Sequence, residues 1–178
     1  MLCCGCLTIL MTLLGASTSV CTIIFPVFRM KNETKEAIQT LWYYMEKTAS
    51  TESKTSVRES ECYEYSVYFQ VSMGAVAAAA AVGLISLLFL CGVVACGKKM
   101  KHLKAVSLSL VFFSLLGAIT CIGLVTLGYL RGYCQGDPKL RGKYAPFKER
   151  GFKIDVGSYL LCAAVALYLL TTITHCCL

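Results

Sequence analysis

The charges of this chain are confined to a few segments, and that confinement limits what it can fold into. All 17 Lys and Arg fall in Arg29–Arg58, Lys98–Lys104 and Arg131–Lys153. Between and around these segments run four apolar stretches, roughly Leu2–Phe28, Val67–Cys96, Ala105–Leu130 and Val156–Leu178, none holding an Asp, Glu, Lys or Arg. About 20 apolar helical residues cross a hydrocarbon core of about 30 Å. The pattern predicts an all-α fold: an integral membrane four-helix bundle, one domain over residues 1–178, whose longer first loop holds either a short strand or an interfacial helix.

Composition agrees. Charged residues make up 15% of the chain, against roughly a quarter in soluble domains. The net charge of +7 is not spread evenly, since the first loop balances six Lys/Arg against seven Glu. The surplus lies in the basic loop Lys98, Lys99, Lys101 and Lys104 and in the third loop. Basic residues beside spans serve orientation and contact with anionic lipid, so nucleic acid is not an expected partner. The first stretch lacks a basic residue before its apolar core, and that core outruns a signal peptide, so it reads as an uncleaved span.

Inside the first loop, Ala37–Met45 forms a short amphipathic patch whose Trp42, Tyr43 and Tyr44 suit a membrane-water boundary. Glu46–Glu61 shows no apolar period and reads as a mobile segment. The second span opens on Tyr63, Tyr65, Tyr68 and Phe69, an aromatic belt. It continues with Gly74, Ala75, Ala77–Ala81 and Gly83, small residues that let backbones approach and make it the expected central packing helix. Gly132, Gly136, Gly142, Pro138 and Pro146 make the third loop turn-rich.

Orientation signals conflict. The first and third loops together hold thirteen Lys/Arg and the second loop four, which by simple count places both termini outside. Charge density against the spans points the other way, as do the cysteines. Cys3, Cys4 and Cys6 at one end, with Cys176 and Cys177 at the other, resemble juxtamembrane acylation sites, which are cytoplasmic. We read both termini as cytoplasmic.

Among the twelve cysteines, only Cys62 and Cys134 lie in the long loops. Two readings stand for them: a bridge formed in an oxidising compartment, or two free thiols. Cys21, Cys91, Cys96, Cys121 and Cys162 read as small buried packing residues. Asn32-Glu33-Thr34 matches the N-glycosylation acceptor pattern, although it sits close to the first span. His102 lies among lysines; His175-Cys176-Cys177 are adjacent residues on a fraying end, which rarely close a tetrahedral metal site. No nucleophile elbow, phosphate loop or paired carboxylate at membrane depth is present. Neither a cofactor, a metal nor an enzymatic activity is expected, and spans free of Asp, Glu, Lys and Arg do not suggest a transporter.

Four spans, a longer first loop with a tryptophan, and a short basic second loop resemble the claudin-like tetraspan layout. Within it the chain is similar to the amastins, surface proteins of kinetoplastid parasites. Thr40-Leu41-Trp42 matches that family's first-loop motif, Cys-x-Thr/Ser-Leu-Trp-Gly, with Ile38 at its Cys position and Tyr43 at its Gly. Pro26-Val27-Phe28-Arg29 resembles the end of its first span, and Cys91 and Cys96 its cysteine-rich turn. The resemblance implies a multi-pass membrane protein with a structural or interaction role at the cell surface or an endomembrane, the plasma membrane first. Its expected partners are the lipid bilayer and other membrane proteins or further copies of itself. The alternative is a channel- or transporter-accessory subunit.

Overall fold

The computed structural model describes residues 2–32, 35–48, 51–96 and 101–176. The apolar stretches become four helices: α1 (Leu2–Ile24), α2 (Tyr63–Cys96), α3 (Lys101–Arg131) and α4 (Val156–Cys176). All four are long and apolar enough to cross a membrane. Even α4, with 21 residues, rises about 32 Å at the usual 1.5 Å per residue. The helices alternate in direction and pack as a ring, α1 on α2, α2 on α3, α3 on α4 and α4 on α1. Helix α2 is one corner of that ring and not its centre. Its small residues serve chiefly its contact with α3, where a Cβ on Gly117 would stand 2.8 Å from the Ala75 carbonyl oxygen.

The bundle is apolar outside, and inside it mixes small hydroxyl side chains with apolar ones such as Val76, Leu90, Val111 and Leu161. Leu10, Leu88, Phe113 and Leu170 are exposed, while Thr8, Thr12, Ser19, Ser86, Ser107, Ser114 and Thr171 are buried. Lipid is as apolar as leucine, so close packing and hydrogen bonds hold helices together where burial cannot. The Thr8 hydroxyl donates to that of Thr174 at 3.3 Å across α1 and α4, and the Ser86 and Ser107 hydroxyls meet at 3.3 Å across α2 and α3. Tyr168 is the largest fully buried side chain. Gly15 and Gly83 open the space it fills, and its hydroxyl donates to the Ala79 carbonyl at 3.1 Å.

At the end of the bundle opposite the termini, the first and third loops fold together into a head. Its centre is an antiparallel sheet, β1 (Phe28–Lys31), β2 (Lys35–Gln39), β3 (Tyr43–Thr48), β4 (Glu52–Ser56) and β5 (Lys153–Ile154), in the order β4-β3-β2-β1-β5. The expected all-α fold is therefore corrected to a helical bundle carrying a small sheet. The described part of Glu46–Glu61 is not a mobile segment but the β3–β4 hairpin followed by a 3-10 turn at Val57–Glu59. Its strands carry polar residues on both faces, so no apolar alternation announces them. They are held chiefly by backbone pairing.

The starts of α2 and α4 are tied to the head. The Glu64 carboxylate, in the first turn of α2, accepts from the Cys134 N–H at 2.6 Å, a favourable place for an anion. At the base of α4, Asp155 takes Arg29 from β1 at 2.7 Å. The Ser158 hydroxyl donates to the Val27 carbonyl at 2.9 Å.

Candidate functional site: a cleft on the head

The sheet presents one face to the third loop. Strand register places Phe28 and Met30, Ala37 and Gln39, Tyr44 and Glu46, and Ser53 and Thr55 on that face, each pair on a successive strand. The face therefore grades from apolar at β1 to polar at β4. Over its apolar end, Phe147 of the third loop packs on Phe28 with ring centroids 4.8 Å apart, and Phe152 meets Phe147 edge-on at 5.1 Å. Tyr65 and Phe69, read above as belt residues, are buried in the same aromatic core with Tyr133 and Tyr144. Only Tyr63 of that group is strongly exposed. Tyr44 likewise faces inward and not the membrane boundary.

Over its polar end the third loop stands off, leaving a cleft of about 320 Å³. Gln39 and Tyr65 form part of its wall. The Tyr65 hydroxyl donates to Gln39 Oε1 at 2.6 Å, and Gln39 Nε2 donates to the Thr40 carbonyl at 2.7 Å, so these buried groups are paired. Above them, Tyr144 shares a hydrogen bond with Ser60 at 2.9 Å. Burial lifts the Tyr44 hydroxyl above its ordinary range, with the Arg150 charge opposing. Arg150 rests on aromatic rings, its guanidinium carbon 5.1 Å from the Phe152 centroid, 5.6 Å from Phe147 and 5.8 Å from Tyr44. Two other charges on the rim are paired: Glu46 with Lys35 at 3.2 Å, and Glu61 with Lys143 at 2.7 Å. Its hydrogen bond to Glu61 holds the Lys143 ammonium above its usual range.

The structure joins Cys62 to Cys134 as a disulfide. The bridge locks the start of α2 to the start of the third loop, beside the aromatic core. Cys134 holds a left-handed backbone with φ of 51°, which costs a non-glycine residue free energy. The bridge and the Glu64 contact hold it there. Asn32 is exposed at the β1–β2 hairpin tip, where its N–H donates to the Lys35 carbonyl at 2.8 Å. The rest of its acceptor pattern, Glu33 and Thr34, lies outside the described residues.

Cys4 and Cys6 are exposed; Cys177, Lys98 and Lys99 lie outside the described residues, as do the side chains of Cys3, Cys96, Lys101 and Cys176. Lys104 is half-buried in the first turns of α3. Of the cysteines expected to be buried, Cys121 is, Cys21 is partly so, and Cys91 and Cys162 are exposed on the lipid-facing surface. A thiol is small and apolar enough for either place.

His175 is not on a fraying end. It is fully buried, with Nε2 3.2 Å from the Ser107 hydroxyl and Nδ1 without a partner among the described residues. Among the described residues, no group of His, Cys, Asp and Glu is arranged to hold a metal.

The family motif also gains a physical meaning. Thr40 closes the β2–β3 turn, its hydroxyl accepting from the Trp42 and Tyr43 N–H groups at 3.2 and 3.0 Å. Leu41 anchors the turn in the core at 1% exposure, and Trp42 projects outward at 50%. Among curated proteins no match is found. The family model described as Amastin surface glycoprotein matches residues 6–170. That span takes in α2, α3, the sheet, the disulfide-pinned head and most of α1 and α4, and the chain belongs to the amastin family.

Proposed function

We propose that this protein is a plasma-membrane interaction module that presents its head outside the cell and acts by contact with lipid and partner membrane proteins, without catalysis. The observation that carries this reading is that the first and third loops form one folded, bridged unit. A bridge between Cys62 and Cys134 belongs to an oxidising compartment, and a sheet with its own aromatic core offers partners a fixed surface. With the head outside, the termini and the α2–α3 connection face the cytoplasm. Cys3, Cys4, Cys6, Cys176 and Cys177 are then acylation sites beside the inner leaflet, and the Lys98–Lys104 segment meets anionic lipid.

Reconstitution of the purified chain into vesicles tests this reading against a channel- or transporter-accessory role. Cross-linked assemblies in vesicles that stay impermeable to ions support it. Ion flux that follows the amount of protein inserted overturns it.

A further inference from the structure

The charges of the cleft are unevenly spent. Glu46 and Glu61 have their lysines. Arg150 also lines the cleft; it is half-buried and makes no ion pair among the described residues. Its aromatic shelf of Phe147, Phe152 and Tyr44 holds the guanidinium plane against the cleft. The Tyr44 hydroxyl takes one of its hydrogen bonds, and the rest of the guanidinium fork suits a planar anion, above all a carboxylate. Glu59 also lines the cleft and also lacks an ion pair among the described residues. The hydroxyls of Ser53 and Thr55 also line the cleft, and each can donate and accept.

A ligand that satisfies this set carries one carboxylate and several hydroxyls. The volume of about 320 Å³ lies at the small end of ligand clefts, roughly 300–1,000 Å³, and suits one ring more than an extended peptide. We propose that the cleft binds a single acidic sugar residue, a carboxylated pyranose, with Arg150 taking the carboxylate and Glu59, Ser53 and Thr55 taking the ring hydroxyls. A simple anion would leave Glu59 and the hydroxyls unanswered, and a neutral sugar would leave Arg150 so. The inference rests on the outward-facing head proposed above, because acidic glycans are then what the cleft meets.

The test uses the full chain in detergent micelles and ligand-observed NMR, which does not depend on orientation in a cell. Its failure is therefore distinct from failure of the topology. The probes are the methyl glycosides of glucuronic acid and of N-acetylneuraminic acid, with methyl glucoside and inorganic phosphate as comparisons. The expected result is saturable binding of an acidic glycoside, with methyl glucoside and phosphate at least about tenfold weaker. Arg150→Lys keeps the charge but loses the fork, and weakens the acidic glycoside by roughly tenfold or more. Thr55→Tyr, at an exposed strand position, abolishes binding by filling the cleft while the Cys62–Cys134 bridge still forms. The inference is overturned by absent binding, by equal binding of methyl glucoside or phosphate, or by acidic-glycoside binding that survives both substitutions.

Discussion

At the scale of single residues, the head depends on polar groups that are buried and paired. Tyr65→Phe removes the donor that meets Gln39 Oε1 and leaves that oxygen buried without a partner. The expected cost is about 1–3 kcal/mol, read as a lower unfolding midpoint of the purified protein in detergent. A midpoint unchanged from the parent would show that the pair contributes nothing. Tyr133, just beyond the end of α3, gives the head a dependence on alkaline pH. Burial first, and then the neighbouring Tyr65, Tyr68 and Glu64, push its hydroxyl well above the ordinary value of 10.0. A folded-state value above the unfolded one contributes stability that is complete below pH 10.0 and is lost as pH rises towards the folded value. The loss runs at about 1.4 kcal/mol per pH unit. Tyr133→Phe should flatten the alkaline arm of the stability curve, whereas an arm as steep as the parent's would remove Tyr133 from the account.

These residues were the least legible in the sequence. Tyr65 and Phe69 follow a charged loop at the head of an apolar run, the usual place for a membrane belt, and nothing in local spacing says that a distant loop folds over them. The third loop carried a signal in Tyr133, Tyr144, Phe147 and Phe152, aromatic side chains too numerous for a solvated basic turn. Its seven Lys and Arg drew attention to charge instead. His175 was misplaced for a similar reason: its position near the chain end suggested fraying, but α3 and its Ser107 close over it.

At the scale of elements, the helices were legible because a bilayer demands long uncharged runs, and they fall close to the predicted spans. Helices α2 and α3 start on charged or aromatic residues ahead of their apolar runs, since backbone hydrogen bonding continues beyond the hydrocarbon. The sheet was not legible. β4, Glu52–Ser56, contains no apolar residue, and β2 points Gln39 inward, so the alternation that marks a half-buried strand is absent.

Close packing of α2 against α3 predicts that Gly117→Leu, which forces side-chain atoms against the Ala75 carbonyl, lowers stability by about 1–3 kcal/mol. A neutral result in a thermal melt would contradict that contact. The bridge works more locally than its sequence separation of 72 suggests. Helices α2 and α3 lie inside that loop and stay inserted when the head opens, so the entropy gained on breaking the bridge is smaller than for a free chain of that length. Cys62→Ser should therefore leave the bundle inserted and expose the head to proteolysis. Full loss of the inserted protein would show instead that the bridge is needed for the bundle itself.

At the scale of the whole molecule, two unlike ends share one scaffold. One end carries a bridged sheet, an aromatic core and a polar cleft. The other carries the start of α1 with its exposed Cys4 and Cys6, and the end of α4. The four-helix bundle sets them apart by about 30 Å of hydrocarbon. Counting basic residues alone would put the head in the cytoplasm. The folded structure gives those charges other employment: Arg29 pairs with Asp155, Lys143 with Glu61, and Arg150 lies over aromatic rings. Charges held in a folded unit are poor guides to orientation. The central claim, an outward-facing head pinned by Cys62 and Cys134, is tested most directly by labelling intact cells with a membrane-impermeant maleimide, before and after reduction, and locating the label by peptide mass. The account predicts that both cysteines label only after reduction and without permeabilisation. Labelling that requires a permeabilised membrane would place the head in the cytoplasm and contradict it.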